Sequence, residues 1–301
     1  MSTFTAIVIS GIALGAIYFL VASGLSLIYG LMDILNFAHG AFLTIGAYAG
    51  LELSLHLANG GGPIGFLAVL MVAAVAGAAV AAAAEVLLIR PLYERPVSQI
   101  LITIGLDLVV VGLLLGVFGS DSRQIVVPIW LTRATHVGSL SIPNGDFAGL
   151  AAGAVVYAGL GLFLKYTRFG LVIRAGAENR EMVQALGIDV SKAFTFVFGL
   201  GGAAAGVAGL LYAVVFSGSL VGPTQGDQLL IFAFIVVVIG GLGSIRGSAI
   251  AGIVVGLVQV VSQYYLGSKS GWAEAGDISV VILLALVLSL RPGGLAGAKQ
   301  G

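Results

Sequence analysis

Cysteine is absent from the 301 residues. That excludes disulfides, thiolate nucleophiles and Cys-based metal sites together. Charge is scarce as well: Asp, Glu, Lys and Arg make up 9% of the chain, thirteen basic against thirteen acidic. There is no basic field to hold nucleic acid and no acidic tail. Only three histidines occur, His39, His56 and His136, and their distant positions lack metal-ligand spacing. No Gly-x-Ser-x-Gly occurs, so a hydrolase nucleophile elbow is not expected. No Gly-Lys-Ser/Thr occurs either, which excludes a Walker-type phosphate loop.

What fills the chain instead is apolar. Hydrophobic residues make up 59% and the mean hydropathy is +1.13. A conventional water-facing surface cannot be built from this composition, whereas a polytopic membrane protein can. The 46 glycines are read as packing, because small residues let transmembrane helices approach closely, as in the pairs Gly11/Gly15, Gly202/Gly206 and Gly252/Gly256. Residues 1–5 carry no Lys or Arg, and the apolar run beyond them is too long for a signal-peptide core. It is expected to remain as the first helix.

Apolar windows of membrane length run over 6–30, 34–56, 62–88, 100–119, 146–165, 193–217, 228–244, 248–266 and 277–291. The expected fold is therefore all-α and polytopic, one membrane domain over 1–301 with about eight or nine transmembrane helices. Asn36, His39 and Gly40 interrupt the window at 34–56. That span is expected to be broken or re-entrant, a geometry tolerated only where protein or a wet cavity covers the backbone. If nine windows cross, Arg90, Arg95, the basic residues of 165–192, Arg246, Arg291 and Lys299 share one side. That side is then cytoplasmic. The N-terminus is external in this reading, and one re-entrant segment reverses it.

Asn36 and His39, three apart, are expected to share a helical face and to line a path or cap a broken helix. Thr103 and Asp107 lie inside the fourth window, and an acid at that depth requires a partner, a wet path or a role. It reads either as a pore-facing group that meets a substrate ammonium or as a packing residue at an interface. Glu52 and Glu85 are nearer helix ends and are expected to snorkel. The loop 165–192, KYTRFGLVIRAGAENREMVQALGIDVSK, is the longest charged stretch. Its centre has helical periodicity over 177–186, ending at Gly187 as a C-cap. The glycines of 236–248, VVVIGGLGSIRGS, read as a tight turn between close-packed helices.

Residues 11–50 carry Gly11, Gly15, Tyr18, Gly24-Leu25, Tyr29-Gly30, Asn36-Phe37-Ala38-His39-Gly40 and Gly46-Ala47-Tyr48. This run resembles the N-terminal signature of permease subunits of ABC importers for branched-chain amino acids. The block 236–248 and the exit Leu290-Arg291-Pro292-Gly293-Gly294-Leu295 resemble the same family, so the likeness covers nearly the whole chain. Where that family often has an acid after the His-Gly pair, this chain has Ala41.

The resemblance implies a multi-pass bacterial inner-membrane permease that is not an enzyme and has no cofactor or metal of its own. ATP would be bound by two cytoplasmic ATPase subunits. A homologous permease subunit and a periplasmic substrate-binding protein would complete the importer, with no nucleic acid involved. Glu181 and Gly187, six apart, loosely match the family's coupling loop. By that likeness the ATPase-docking residues near 166–192 are Glu178, Arg180, Glu181, Ala185, Leu186 and Gly187; an ordinary solvated loop helix is the other reading. The rival function is an ion-gradient-driven secondary transporter or channel, which would need intramembrane charges or unwound carbonyl sites.

Overall fold

The computed structural model describes residues 2–33, 35–57, 61–138, 140–178, 183, 190–268, 271–272 and 274–296. The first helix, α1 (Ser2–Met32), is 31 residues long, about 46 Å. It ends where Asp33 takes a φ of 56°, a left-handed turn that Asp tolerates better than most residues. Residues 35–38 are non-helical, and α2 (His39–Leu55) follows.

Helix α3 (Gly62–Ala84) starts at a left-handed Gly61 with proline in its first turn. It continues through a π-helical turn, Glu85–Ile89, and a 3-10 turn, Arg90–Leu92. Pro96 opens α4 (Pro96–Phe118). A short ordered cap follows: β1 (Arg123–Gln124), α5 (Ile129–Thr132), and β2 (Ala134–Val137) paired antiparallel with β3 (Leu140–Pro143).

Next come α6 (Asn144–Tyr166), α7 (Arg168–Glu178) and α8 (Val190–Val215). Strand β4 (Leu220–Val221) pairs with β1. Helices α9 (Gln225–Gly240), α10 (Ile245–Ser262) and α11 (Ala275–Leu290) complete the bundle. Among the described residues, six helices are long and apolar enough to cross a membrane, and α9 and α11 are shorter apolar helices.

Helices α1 and α8 form the centre, where Ile17, Tyr18, Leu20, Phe194, Phe198 and Leu211 are fully buried. The glycine pairs interlock as expected. A Cβ on Gly15 would stand 2.5 Å from Gly252 O, and one on Gly256 would stand 2.4 Å from Gly11 O. Around this centre, α3, α4, α6 and α11 turn large apolar side chains outward, among them Met71, Leu108, Leu113, Val155, Leu162 and Leu286. Such a girdle is unstable in water and ordinary against hydrocarbon. The chain is thus an all-α polytopic membrane protein with a small strand-bearing cap.

The bundle has two distinct ends. The strands lie at one, here the hairpin end. At the other, α7 packs its Gly170, Ile173 and Gly176 side inward, with Gly176 facing Leu31. Arg90, Arg95, Arg168, Arg246 and Arg291 stand at helix termini at that same end, and Arg174 lies within α7. The turn after α9 has the close packing expected of it. Gly241 and Gly243 have positive φ, and the Ser244 side chain caps α10 by accepting from the Gly247 amide at 3.1 Å.

Of the helix expected over 177–186, residues 179–182 and 184–186 lie outside the described residues, and a helix not expected from the sequence, α7, is described at Arg168–Glu178. Its start is fixed by Thr167, whose hydroxyl oxygen accepts from the Gly170 amide at 2.9 Å, an N-cap to N3 bond. Of the coupling residues, Glu178 closes α7. Arg180, Glu181, Ala185, Leu186 and Gly187 lie outside the described residues.

Candidate functional site

Helix α4 has a polar inward face near the α7 end. Gln99, Thr103 and Asp107 are each one helical turn apart, and Val110 and Leu114 continue the same face in apolar form. Gln99 is fully buried and Thr103 is 2% exposed. The Gln99 amide donates to Leu92 O at 2.6 Å, and the Thr103 hydroxyl donates to Ile100 O at 2.9 Å.

Against this stripe runs the non-helical segment after α1. Asn36 does not share a helical face with His39, because residue 36 precedes α2. Its side-chain oxygen accepts from the Ala38 amide at 3.1 Å, a local turn that competes with helix. Asn36 is 2% exposed and lines, with Gln99 and Thr103, one small cavity of about 10 Å³ closed by Ile28, Met32, Ile89 and Phe198.

His39 sits apart from them. Its Nε2 lies 3.2 Å from Val21 O on α1, and its ring fills the space over Gly24 beside Phe42. Val21 stands eleven residues before the end of α1, so α2 begins about 16 Å inside the bundle.

The span holding α9 is broken in the same way and in the opposite sense. Its first residue, Gln225, donates from Nε2 to Gly209 O at 2.7 Å. Gly209 lies six residues before the end of α8, about 9 Å inside the hairpin end. The two broken helices meet N-terminus to N-terminus: a Cβ on Gly226 would stand 2.2 Å from Gly40 O.

Each positive helix end has a carboxyl group beside it. Asp227 lies in the first turn of α9. Asp107 reaches from α4 to the start of α2, where its Oδ1 would stand 3.3 Å from a Cβ on Gly40, and neighbours the Asp227 carboxyl. Carboxylates at helix N-termini are favoured, whereas two in contact repel. A cation, a proton or a ligand ammonium between them removes that repulsion.

The structure therefore brings Asn36 and Thr103 together, places Asp107 one turn deeper at the meeting of the broken helices, and sets His39 against α1. Sequence reasoning missed Gln99, Gln225 and Asp227. Gln99 was legible as the first member of a 99/103/107 series at helical spacing. Asp227 was not, because its partner lies 120 positions away and it stands at the edge of an apolar window.

A second polar cluster ties α3 to α8. Glu85 does not snorkel: it is fully buried in the π-helical turn. Arg90 lies 3.2 Å from its Oε2, and Thr195 donates to it at 2.6 Å. The Tyr93 hydroxyl also donates to Glu85. Burial, and then the bond to Glu85, hold the Tyr93 phenol well above its usual pKa.

A concavity of about 750 Å³ opens at the hairpin end, lined by Gln124–Val127, Leu131, Val214, Val215, Gly218 and Ser219 among others, and none of the stripe residues lines it.

Compared with known proteins, residues 7–290 match the family described as "Branched-chain amino acid transport system / permease component". The chain is 30% identical over 302 residues to the high-affinity branched-chain amino acid transport system permease protein LivH of Escherichia coli K12, covering 97% of this chain and 94% of the relative. It is 33% identical to the probable branched-chain amino acid transport permease protein LivH of Methanocaldococcus jannaschii, covering 92% and 88%. To the permease protein BraD of Pseudomonas aeruginosa it is 28% identical, covering 97% and 95%. No solved structure matches it.

Proposed function

Because the chain belongs to the permease-component family of branched-chain amino acid transport systems, we propose that it is the transmembrane permease of an ATP-driven importer for branched-chain or related amino acids. The whole chain acts as one permease domain in a bacterial inner membrane. Two cytoplasmic ATPases supply the energy, a second homologous permease completes the pore, and a periplasmic protein delivers the substrate. The α7 end, rich in Arg, is the cytoplasmic end. Residues 166–192 transmit ATPase closure to α6 and α8, which they join.

The observation that carries this reading is the polar stripe of α4 leading from the α7 end to the meeting of two broken helices inside the bundle. Intramembrane polar groups are costly, and backbone breaks at depth belong beside a substrate route. Asn36 and Thr103 line the inner half of that route, and Asp107 with Asp227 meets the substrate ammonium. His39 supports the route by holding α2 against α1.

The Asp107–Asp227 pair also suits a cation-coupled carrier, so the test separates the two. Proteoliposomes with the permease, its ATPases and its binding protein are expected to accumulate L-leucine only with ATP inside and binding protein outside. The permease alone is expected to hydrolyse no ATP. Uptake by the chain alone, driven by a sodium or proton gradient, overturns the importer.

A further inference from the structure

A groove of about 700 Å³ lies between α3 and α8 toward the α7 end of the bundle, a volume in the range of ligand pockets. On α3 it is lined by Ala78, Ala79 and Ala82, and on α8 by a row about one turn apart, Lys192, Thr195, Gly199 and Ala203. Two more of its lining residues, Val75 and Phe196, are exposed, so the groove opens on the outer surface. A Cβ on Gly199 would meet nothing within 4 Å. The Thr195 hydroxyl is already bonded to Glu85 and to Ser191 O. Apart from Lys192, the side chains thus present an apolar wall.

Its length and its charge each restrict what fits. Lys192 and Ala203 are eleven residues apart, about 17 Å of helix, which is close to one leaflet of a hydrocarbon core about 30 Å thick. Beyond Val75 the same face of α3 carries the large exposed side chains of Met71, Leu67 and Ile64. A helix of a partner subunit would cross both leaflets, whereas one acyl chain occupies only this one. Lys192 stands at the end of the groove nearest the membrane surface, in the first turn of α8. Arg90 donates to the Thr195 hydroxyl at 2.6 Å, which brings a second cation to the same end. Among the lining residues and these bonded partners, two cations stand against one carboxylate, that of the fully buried Glu85. Basic groups so placed attract anionic headgroups.

We propose that the groove seats one acyl chain of an anionic phospholipid from the leaflet at the α7 end, with the lipid phosphate at Lys192 and the exposed part of Arg90. The acyl chain lies along the alanines of α3 and against Phe196. That ring stacks on Phe169 of α7 at 5.4 Å and meets Phe163 of α6 at 5.2 Å. The bound lipid is therefore a brace between α3 and the two helices that flank the turn at Thr167. The site requires a membrane and is indifferent to what energises transport, so it stands or falls apart from the importer reading.

The chain has two tryptophans, Trp130 and Trp272. With both replaced by Phe, Phe196→Trp places a single indole at the groove, and Val75→Trp is a second reporter on the opposite wall. The full chain is reconstituted in phosphatidylcholine vesicles with rising fractions of phosphatidylglycerol whose acyl chains carry bromine, a contact quencher of indole fluorescence. Brominated phosphatidylcholine is the comparison. Half-maximal quenching is expected at about a fivefold lower fraction of the anionic lipid, the preference that one basic residue supplies at a membrane surface. Lys192→Gln is expected to remove that preference while quenching itself persists. Gly199→Leu fills the groove from a position with open space around it, and is expected to weaken quenching by both lipids. Size-exclusion and helical circular dichroism confirm that each variant is folded.

Equal quenching by the two headgroups at both reporters, or a preference that survives Lys192→Gln, overturns the site. Quenching in the lone chain that disappears when the second permease and the ATPases are added shows that protein covers the groove in the assembly, and overturns it as well.

Discussion

Arg90→Gln is expected to cost more stability than Glu85→Gln, although both break the same ion pair. Glu85 is fully buried, whereas the Arg90 side chain is 37% exposed. Removing the arginine strands a carboxylate in the bundle, and such losses run to about 3–5 kcal/mol. Water reaches the vacated guanidinium site, which places this case at the lower end, about 3 kcal/mol. Removing the glutamate's charge instead leaves an amide oxygen for Thr195 and Tyr93 and a hydrated arginine, a loss of about 1 kcal/mol. The double variant has no stranded charge and should resemble Glu85→Gln, so the cycle carries a coupling of about 2–3 kcal/mol. Thermal unfolding in detergent, followed by helical circular dichroism or by size-exclusion after heating, reads this as a midpoint about 6–10 °C lower for Arg90→Gln and about 2–4 °C lower for the other two. Equal shifts for the two single variants, or strict additivity in the double, would refute the argument that burial of Glu85 sets the asymmetry.

Gly206→Val is expected to lower the membrane level and the melting midpoint, since its Cβ would stand 2.2 Å from Ala73 O and overpacking of this kind costs about 1–3 kcal/mol or more; Gly105→Ala, which meets nothing within 4 Å, should be silent in the same immunoblot and melt. Asp107→Asn and Asp227→Asn should each abolish most uptake while the permease still copurifies with its ATPase, and unchanged leucine uptake in both returns the pair to packing. Ala185→Asp or Gly187→Val should leave the permease in the membrane and detach the ATPase on co-purification, whereas a charge at Thr135, in β2 at the hairpin end, should not. Retained ATPase binding and substrate-stimulated hydrolysis in Ala185→Asp remove the coupling role from that stretch.

Much of the bundle was legible because lipid imposes a simple requirement, runs of about 20 apolar residues. Each apolar window holds a helix, and the break near 34–38 was visible as Asn36, His39 and Gly40 inside an apolar run. The matching break before α9 was hidden. Gly222, Pro223 and Thr224 have the composition of any turn between helices, and nothing local says that Gln225 begins its helix already inside the bundle. Glu85 was misread for the same reason: position near a helix end suggests snorkelling, and its partner Thr195 comes from a helix 110 residues further on. Helix α7 went unread in the charged loop although its local signal is there, the Thr167 cap preceding Phe169, Leu171 and Ile173.

The contact of Gly40 with Gly226 also bears on how such a bundle moves. With the Gly40 and Gly226 backbones in contact and the Thr44 hydroxyl packed beside them, the crossing cannot close further. It behaves as a fulcrum and not as a gate, and α2 and α9 are lever arms leaving it in opposite directions. Helix α9 has 16 residues and is about 24 Å long, so a tilt of about 10° at the fulcrum carries its far end about 4 Å. That end is where Leu295 N donates to Ile239 O and Gly240 presses on Gly247. A rotation too small to disturb the centre of the bundle is thereby a displacement of atomic size at its rim.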